Sequence, residues 1–115
     1  MYQLMEPLFD VLAEPSRRAI LQLLLRSERS VGDLERTLKR PQPSISKHLR
    51  VLREAGLVES RTEAQKRVYR LRPEPLVELD RWLEPFRRLW EARLDALERH
   101  LDRMPTEPKK KGAKR

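Results

Sequence analysis

Apolar residues recur at helical spacing along most of the chain, and one short stretch breaks the rule. Leu4, Leu8, Val11 and Leu12 predict a first helix, with Pro7 tolerated only near its first turn or at a kink. Pro15 then occupies the first position of a second helix, where its missing amide proton is not needed. Ile20, Leu21, Leu23, Leu24 and Leu25 predict burial of that helix on most sides. Arg17 and Arg18 fall in its first turn, against the helix dipole, so a phosphate or a local carboxylate is expected to hold them there.

Ser30 and Asp33 form the start signal of a third helix, an N-cap hydroxyl with an acidic partner three residues on. Val31, Leu34 and Leu38 are its expected buried stripe. Lys39 to Pro43 cannot be helical throughout and predicts a five-residue turn. Pro43 starts a fourth helix over 43–55, with Gln42 extended as its N-cap and Gly56 as its left-handed stop. After Gly56 the period changes from helical to two. Val58–Thr62 and Lys66–Leu71 alternate around Glu63-Ala64-Gln65 and predict a β-hairpin over 58–71, with no Asn-Gly pair to fix the turn type.

Beyond Pro73 the helical period returns. Leu76, Leu79, Leu83, Phe86, Trp90, Leu94, Leu97, Leu101 and Met104 form one long seam, which Pro85 either kinks or divides. The last segment, 105–115, has five basic residues and no apolar face, so it is expected to be a disordered basic tail. The reading is one domain over 1–104, mainly α with a small β-hairpin.

Charge sharpens this picture. The 115 residues carry a net charge of +8, but residues 39–72 alone hold ten basic and three acidic groups. The excess therefore lies on the fourth helix and the hairpin, the footprint of a polyanion partner such as double-stranded DNA. A third helix, a turn and a fourth helix make a helix-turn-helix, whose second helix enters the major groove. Ile45, Leu49 and Leu52 form the inward stripe of that helix, which turns Gln42, Ser44, Ser46, Lys47 and Arg50 outward toward base edges and phosphates. His48 sits beside the stripe, either as a half-buried tie to neighbouring backbone or as a phosphate contact. The hairpin adds Arg61, Lys66, Arg67 and Arg70, and alternation should turn some of these four away from DNA.

Two segments extend the argument. Ser44-Ile-Ser-Lys-His-Leu-Arg-Val-Leu-Arg-Glu-Ala-Gly-Leu-Val58 resembles the recognition helix and strand entry of ArsR-type winged helix-turn-helix repressors. Phe9-Asp-Val-Leu-Ala-Glu-Pro-Ser-Arg-Arg-Ala-Ile-Leu21 resembles the opening signature of the same family, and the wing ending Val68-Tyr69-Arg70-Leu71 also fits. The resemblance covers about residues 5–104. It implies a homodimer paired through its first and last helices, repressing its own or neighbouring genes in a prokaryotic cytoplasm by covering a palindromic operator. Leu4, Leu8, Leu83, Phe86, Trp90, Leu94, Leu97 and Leu101 are the residues expected at that dimer interface, and the apolar fraction of 38% makes shared burial reasonable.

The departures from the family pattern point to a non-metal, autorepressor-like branch. Where metal sensors of the family carry a Cys pair, this chain has Ser30-Val31-Gly32-Asp33, and the last helix holds a single histidine, His100. A tetrahedral site needs about three or four ligands, so no metal and no cofactor is expected; a symmetric His100 pair across a dimer is the one alternative. With no Cys, three Gly, no phosphate-binding Gly-rich loop and two histidines lacking an orienting partner, no catalytic residue is assigned and the chain is not an enzyme. Apolar runs are too short for a membrane span. Two alternatives to a plain repressor stand: a small-molecule-responsive repressor with an effector pocket near Trp82, Phe86 and Trp90, and a nonspecific architectural DNA-binding protein.

Overall fold

The computed structural model describes residues 5–104, so Leu4 and the basic segment 105–115 lie outside the described residues. The chain divides between Arg81 and Trp82 into two compact units. The element order is α1 (Met5–Leu12), α2 (Pro15–Arg26), β1 (Arg29–Ser30), α3 (Val31–Leu38), α4 (Gln42–Glu54), β2 (Val58–Glu63), β3 (Lys66–Leu71) and α5 (Leu76–Arg103).

In the first unit, the inward stripes of four helices and the wing meet in one core. Ile20, Leu34, Ile45, Leu49, Leu52, Leu57 and Val58 are essentially inaccessible, and Leu8, Val11, Leu21, Leu24 and Tyr69 close around them. Each such aliphatic side chain stabilises the fold by about 1.5–3 kcal/mol relative to exposure. The α4 stripe is the expected one. Two details of α2 and α3 differ: Leu25 is 71% exposed, so α2 is not buried on most sides, and Val31 and Leu38 flank the buried Leu34 only half-covered.

The caps explain where the helices stop. Ser30 accepts the Asp33 amide proton at 3.1 Å while Asp33 Oδ2 accepts from the Ser30 amide at 3.4 Å, a reciprocal box that satisfies two orphan donors of α3. The link to α4 is shorter than the sequence suggests, because Lys39 ends α3 in the left-handed region (φ 57°, ψ 48°) and donates its amide to Glu35 O. Only residues 39–41 separate the two helices. Pro41, not Gln42, is the extended N-cap of α4 (φ −65°, ψ 151°), so the helix begins at Gln42 with Pro43 in its first turn. It ends at Glu54 rather than Ala55. Gly56 at φ 79° then lets its own amide reach Arg53 O and the Leu57 amide reach Leu52 O, the paired bonds of a Schellman stop.

The hairpin forms over 58–71 as expected, in register from Val58↔Leu71 to Glu63↔Lys66. Its two-residue turn places both Ala64 (φ 49°) and Gln65 (φ 69°) in the left-handed region, the geometry of a type I′ turn usually given to Asn-Gly. A third strand was not expected. Arg29 and Ser30 pair with Tyr69 and Val68, giving an antiparallel sheet of order β1-β3-β2.

α5 runs unbroken from Leu76 to Arg103 with Pro85 inside it, so the proline does not divide the helix. In the second unit, Trp82 and Phe86 pack against each other with ring centroids 4.9 Å apart and planes tilted by 43°. Glu84 pairs with both Arg87 (2.8 Å) and Arg88 (3.4 Å) on the polar side. These bonds, led by the one from Arg87, hold the Glu84 carboxyl below its ordinary value. Phe86, Leu89, Trp90, Leu94, Leu97, Leu101 and Met104 form a row that is 42–63% exposed.

Candidate nucleic-acid interface

α4 presents the expected outward row. Gln42, Ser46, Lys47 and Arg50 are exposed, and Ser44 and His48 are half-buried beside the stripe. The amides of Ser44 and Ile45 are already taken by Pro41 O at 3.1 and 3.2 Å. The N-terminal half of the helix therefore offers side chains: an amide, two hydroxyls and two cations suited to phosphates and major-groove base edges.

The wing separates its cations by face. Residues paired across the strands share a face, so Tyr69 lies with Ser60, Leu71 with Val58, and Arg67 with Thr62. Tyr69 is buried. On the opposite face the charges, Lys66 at the tip apart, neutralise one another. Arg70 is hydrogen-bonded to Glu59 directly across the ladder, and Arg61 bonds Glu63 at 3.0 Å and Glu28 at 2.8 Å. The Glu28 bond is the main cause holding Arg61 more firmly protonated than usual. Arg72 lies 3.5 Å from Glu74 and 3.9 Å from Glu59.

The remaining cations of this stretch are different. Among the described residues, no carboxylate lies within salt-bridge distance of Lys39, Arg40, Lys47, Arg50, Arg53, Lys66 or Arg67. The wing tip and the start of α4 border one groove. A groove of about 370 Å³ is lined by Ser30, Val31, Gly32 and Arg36 of the α3 start, Gln42 of α4, and Gln65, Lys66 and Arg67 of the wing. Gln65 and Arg36 were not singled out in the sequence; only the turn geometry and the α3–wing approach bring them to this groove.

Among the described residues, Arg17 and Arg18 are held by carbonyl oxygens rather than by a carboxylate. Their guanidinium groups cap the C-terminal carbonyls of α1. Arg18 bonds Leu12 O (2.8 Å) and Ala13 O (3.1 Å), and Arg17 bonds Val11 O (3.3 Å) and Asp10 O (3.5 Å). The last carbonyls of a helix lack partners within it, and here, among the described residues, only Asp10 O has a further bond, from the Ala13 amide at 3.3 Å, which accounts for two cations at the unfavourable end of α2. Arg17 also donates Nε–H to His48 Nδ1 at 3.3 Å, so His48 ties α4 to a side chain of α2 rather than to backbone. Burial, and then the Arg17 charge, push the His48 pKa below 6.5; Glu14 opposes the shift, and Lys47 and Arg40 add to it.

Comparison with known proteins agrees with this geometry. The profile described as "Bacterial regulatory protein, arsR family" matches residues 14–60, from the α2 start through the first residues of the wing. The chain is 40% identical over 78 residues to the HTH-type transcriptional regulator Rv2034 of Mycobacterium tuberculosis, a match covering 68% of this chain and 73% of that one. It belongs to the ArsR family. A biofilm growth-associated repressor of Agrobacterium fabrum is 47% identical over 64 residues, 56% of this chain; the ArsR-family chain spans only about half, 55%, of that relative's length. Among solved structures, an ArsR-like transcriptional regulator from Rhodococcus sp. RHA1 superposes with a TM-score of 0.66 at 31% identity, over 90% of this chain and 97% of that one. The fold is thus the winged helix-turn-helix of the family, and its relatives are transcriptional regulators, not enzymes.

The residues expected at an ArsR-type dimer interface divide. Leu8 is already 7% exposed within the first unit and serves its core. Phe86, Trp90, Leu94, Leu97 and Leu101 belong to the exposed α5 row, and Leu83 is half-buried. Near Leu8 an apolar cavity of about 440 Å³ is lined by Pro7, Leu8, Ala55, Glu74, Pro75 and Glu78. Among the described residues, no helix is long and apolar enough to cross a membrane.

Proposed function

We propose that this protein is a dimeric, sequence-specific DNA-binding repressor that acts in the cytoplasm on its own or neighbouring genes. Gln42, Ser44, Ser46, Lys47 and Arg50 of α4 read the major groove, His48 contacts a phosphate, and Lys66 and Arg67 of the wing hold the flanking backbone or minor groove. The observation that supports this reading is the division of charge: Arg61 and Arg70 of the strands are paired with carboxylates, while among the described residues the cations of α4 and of the wing tip, Lys66 and Arg67, have none within salt-bridge distance. A charge left unpaired at one surface is what a polyanion contact requires. Arg61 belongs to the interface only as a long-range contribution, since two carboxylates hold it. The base-reading Gln42, Ser44 and Ser46 favour an operator over nonspecific coating, which needs cations more than amides and hydroxyls.

Dimerisation rests on the α5 row. Seven exposed apolar residues at helical spacing make a continuous row of the kind that marks an interaction surface, and a second copy of α5 would cover it through Leu83, Phe86, Trp90, Leu94, Leu97 and Leu101. The test is a footprint on duplexes that the protein selects from a random pool. Two protected half-sites about 34 Å apart and related by two-fold symmetry are expected; a single site without symmetry overturns the dimeric reading. An effector-responsive version of this function places an apolar ligand in the Leu8–Pro75 cavity rather than beside Trp82 and Phe86, which pack on each other.

A further inference from the structure

Of the expected DNA-contacting side chains, His48 has one feature the others lack: one of its ring nitrogens is held by a fixed side chain of another helix while the other nitrogen is left open. Its inner nitrogen, Nδ1, lies 3.3 Å from Arg17 Nε. A guanidinium is always protonated and only donates. Nδ1 is therefore the acceptor, and the neutral ring must carry its proton on Nε2. Among the described residues Nε2 has no hydrogen-bond partner, yet it is not one of the sealed, unsatisfied atoms, so it opens to solvent. The guanidinium is itself immobilised, with Nη1 on Val11 O and Asp10 O at 3.3 and 3.5 Å. Lys47 and Arg40 are the nearby cations on the α4 side, and Glu14 is the nearby carboxylate.

Resting on the DNA-binding function proposed above, we propose that Arg17 is a positioning residue for operator binding. It holds the His48 imidazole as the neutral Nε2–H tautomer and aims that N–H at a DNA phosphate oxygen without touching DNA itself. The ring needs this help because an unheld imidazole populates both tautomers and rotates about its χ2 angle. Arg17 removes both freedoms through a chain that starts at the fixed carbonyls of α1 and ends on the recognition helix. A phosphate is the fitting acceptor, since the half-buried ring sits back from the outer row formed by Gln42, Ser46 and Arg50.

The experiment has two arms. Nitrogen-15 NMR of the free full-length protein at pH 7.5 reads the tautomer directly. The Nε2–H form is expected in the wild type and a mixture in Arg17→Gln. In the second arm, DNA affinity is measured for Arg17→Gln, His48→Ala and the double variant. Arg17→Gln is expected to lose about three- to tenfold, the scale of one hydrogen bond, with an unchanged salt slope, and to add nothing in the His48→Ala background, which has no donor left to position. His48→Asn, which keeps an acceptor for Arg17 but is too short to place an N–H where Nε2–H stands, should fold normally and lose the same factor. An Nδ1–H tautomer in the wild type overturns the inference alone. So does a salt slope lowered by about one in Arg17→Gln, which would make Arg17 a direct phosphate contact. An undiminished Arg17 effect in His48→Ala, or full affinity in His48→Asn, overturns it as well. Absence of specific DNA binding by the wild type overturns the functional reading instead, and leaves the tautomer result to stand on its own.

Discussion

Arg61 of the wing is bound by Glu28, 33 residues earlier in the chain, at 2.8 Å. The bond fastens the segment before β1 to β2 and, with Glu63 on the other side of the guanidinium, removes most of the free charge of a residue that the sequence offers as a DNA contact. That leaves the tip, with Lys66 and Arg67, as the part of the wing proposed to reach DNA.

A salt titration of DNA binding separates the two sets of cations. Substituting Lys66 and Arg67 together by Ala should lower the salt slope by about two, one for each phosphate that is no longer neutralised. Arg61→Ala should leave the slope nearly unchanged. Equal slopes for both variants would place the wing differently on the duplex.

On the recognition helix, Arg50 is exposed and among the described residues has no carboxylate partner. Arg50→Ala should weaken operator binding by about 1–3 kcal/mol if it reads a base edge, with the thermal midpoint hardly moved. Unchanged affinity in an anisotropy titration would remove Arg50 from the interface.

The α3 cap sets a pH dependence of stability. The Ser30 amide first, then the Ser30 hydroxyl and Arg36, hold the Asp33 carboxyl below its ordinary 3.8. A depressed carboxyl stabilises the fold above its unfolded value, and that stabilisation is lost as pH falls from about 3.8 through the folded pKa. Ser30→Ala removes the hydroxyl cap and should cost about 1 kcal/mol at neutral pH, while Asp33→Asn removes the titrating group and should flatten the acid limb of the curve. Chemical denaturation at a series of pH values measures both; an acid limb unchanged in Asp33→Asn would contradict the box.

His48 works in the same direction for a different reason. With its pKa below 6.5, the folded state resists a proton that the unfolded chain accepts, so stability should fall as pH drops from about 6.5 through the folded value. A ring-proton titration by NMR checks the sign. A midpoint above 6.5 would mean that Glu14, rather than burial and Arg17, governs the ring.

Trp90 is 52% exposed within one chain, so Trp90→Ala should leave the subunit folded. If the α5 row is the dimer interface, the loss of a buried aromatic anchor should weaken association by about 2 kcal/mol or more. Sedimentation of the variant should show a shift toward monomer at concentrations where the wild type is a dimer; an unaltered dimer would place the interface elsewhere.

What could be read from the sequence was whatever depends on local periodicity and backbone chemistry. The Ile45, Leu49, Leu52 stripe, the Ser30–Asp33 box, the Gly56 stop and the two-residue period of the wing are all signals carried within a few residues, and each stands in the structure. What could not be read depends on distant partners. β1 is two residues long and exists only because β3 supplies its ladder. The left-handed Lys39 and the Ala64-Gln65 turn use residues that seldom adopt that geometry, so no Gly or Asn announced them. The neutralisation of Arg61 and the carbonyl caps built by Arg17 and Arg18 needed the third dimension. In the candidate site, composition identified the cations, but only the fold showed which of them have partners.

The central claim is sequence-specific recognition by α4, and the most direct measurement compares two affinities at physiological salt: one for a duplex selected by the protein, the other for the same duplex shuffled. The account predicts a ratio of about 10³ or more, reduced by Arg50→Ala and little affected by Arg61→Ala. Equal binding to the two duplexes, vanishing together as salt is raised, would contradict it and leave a protein that coats DNA by charge.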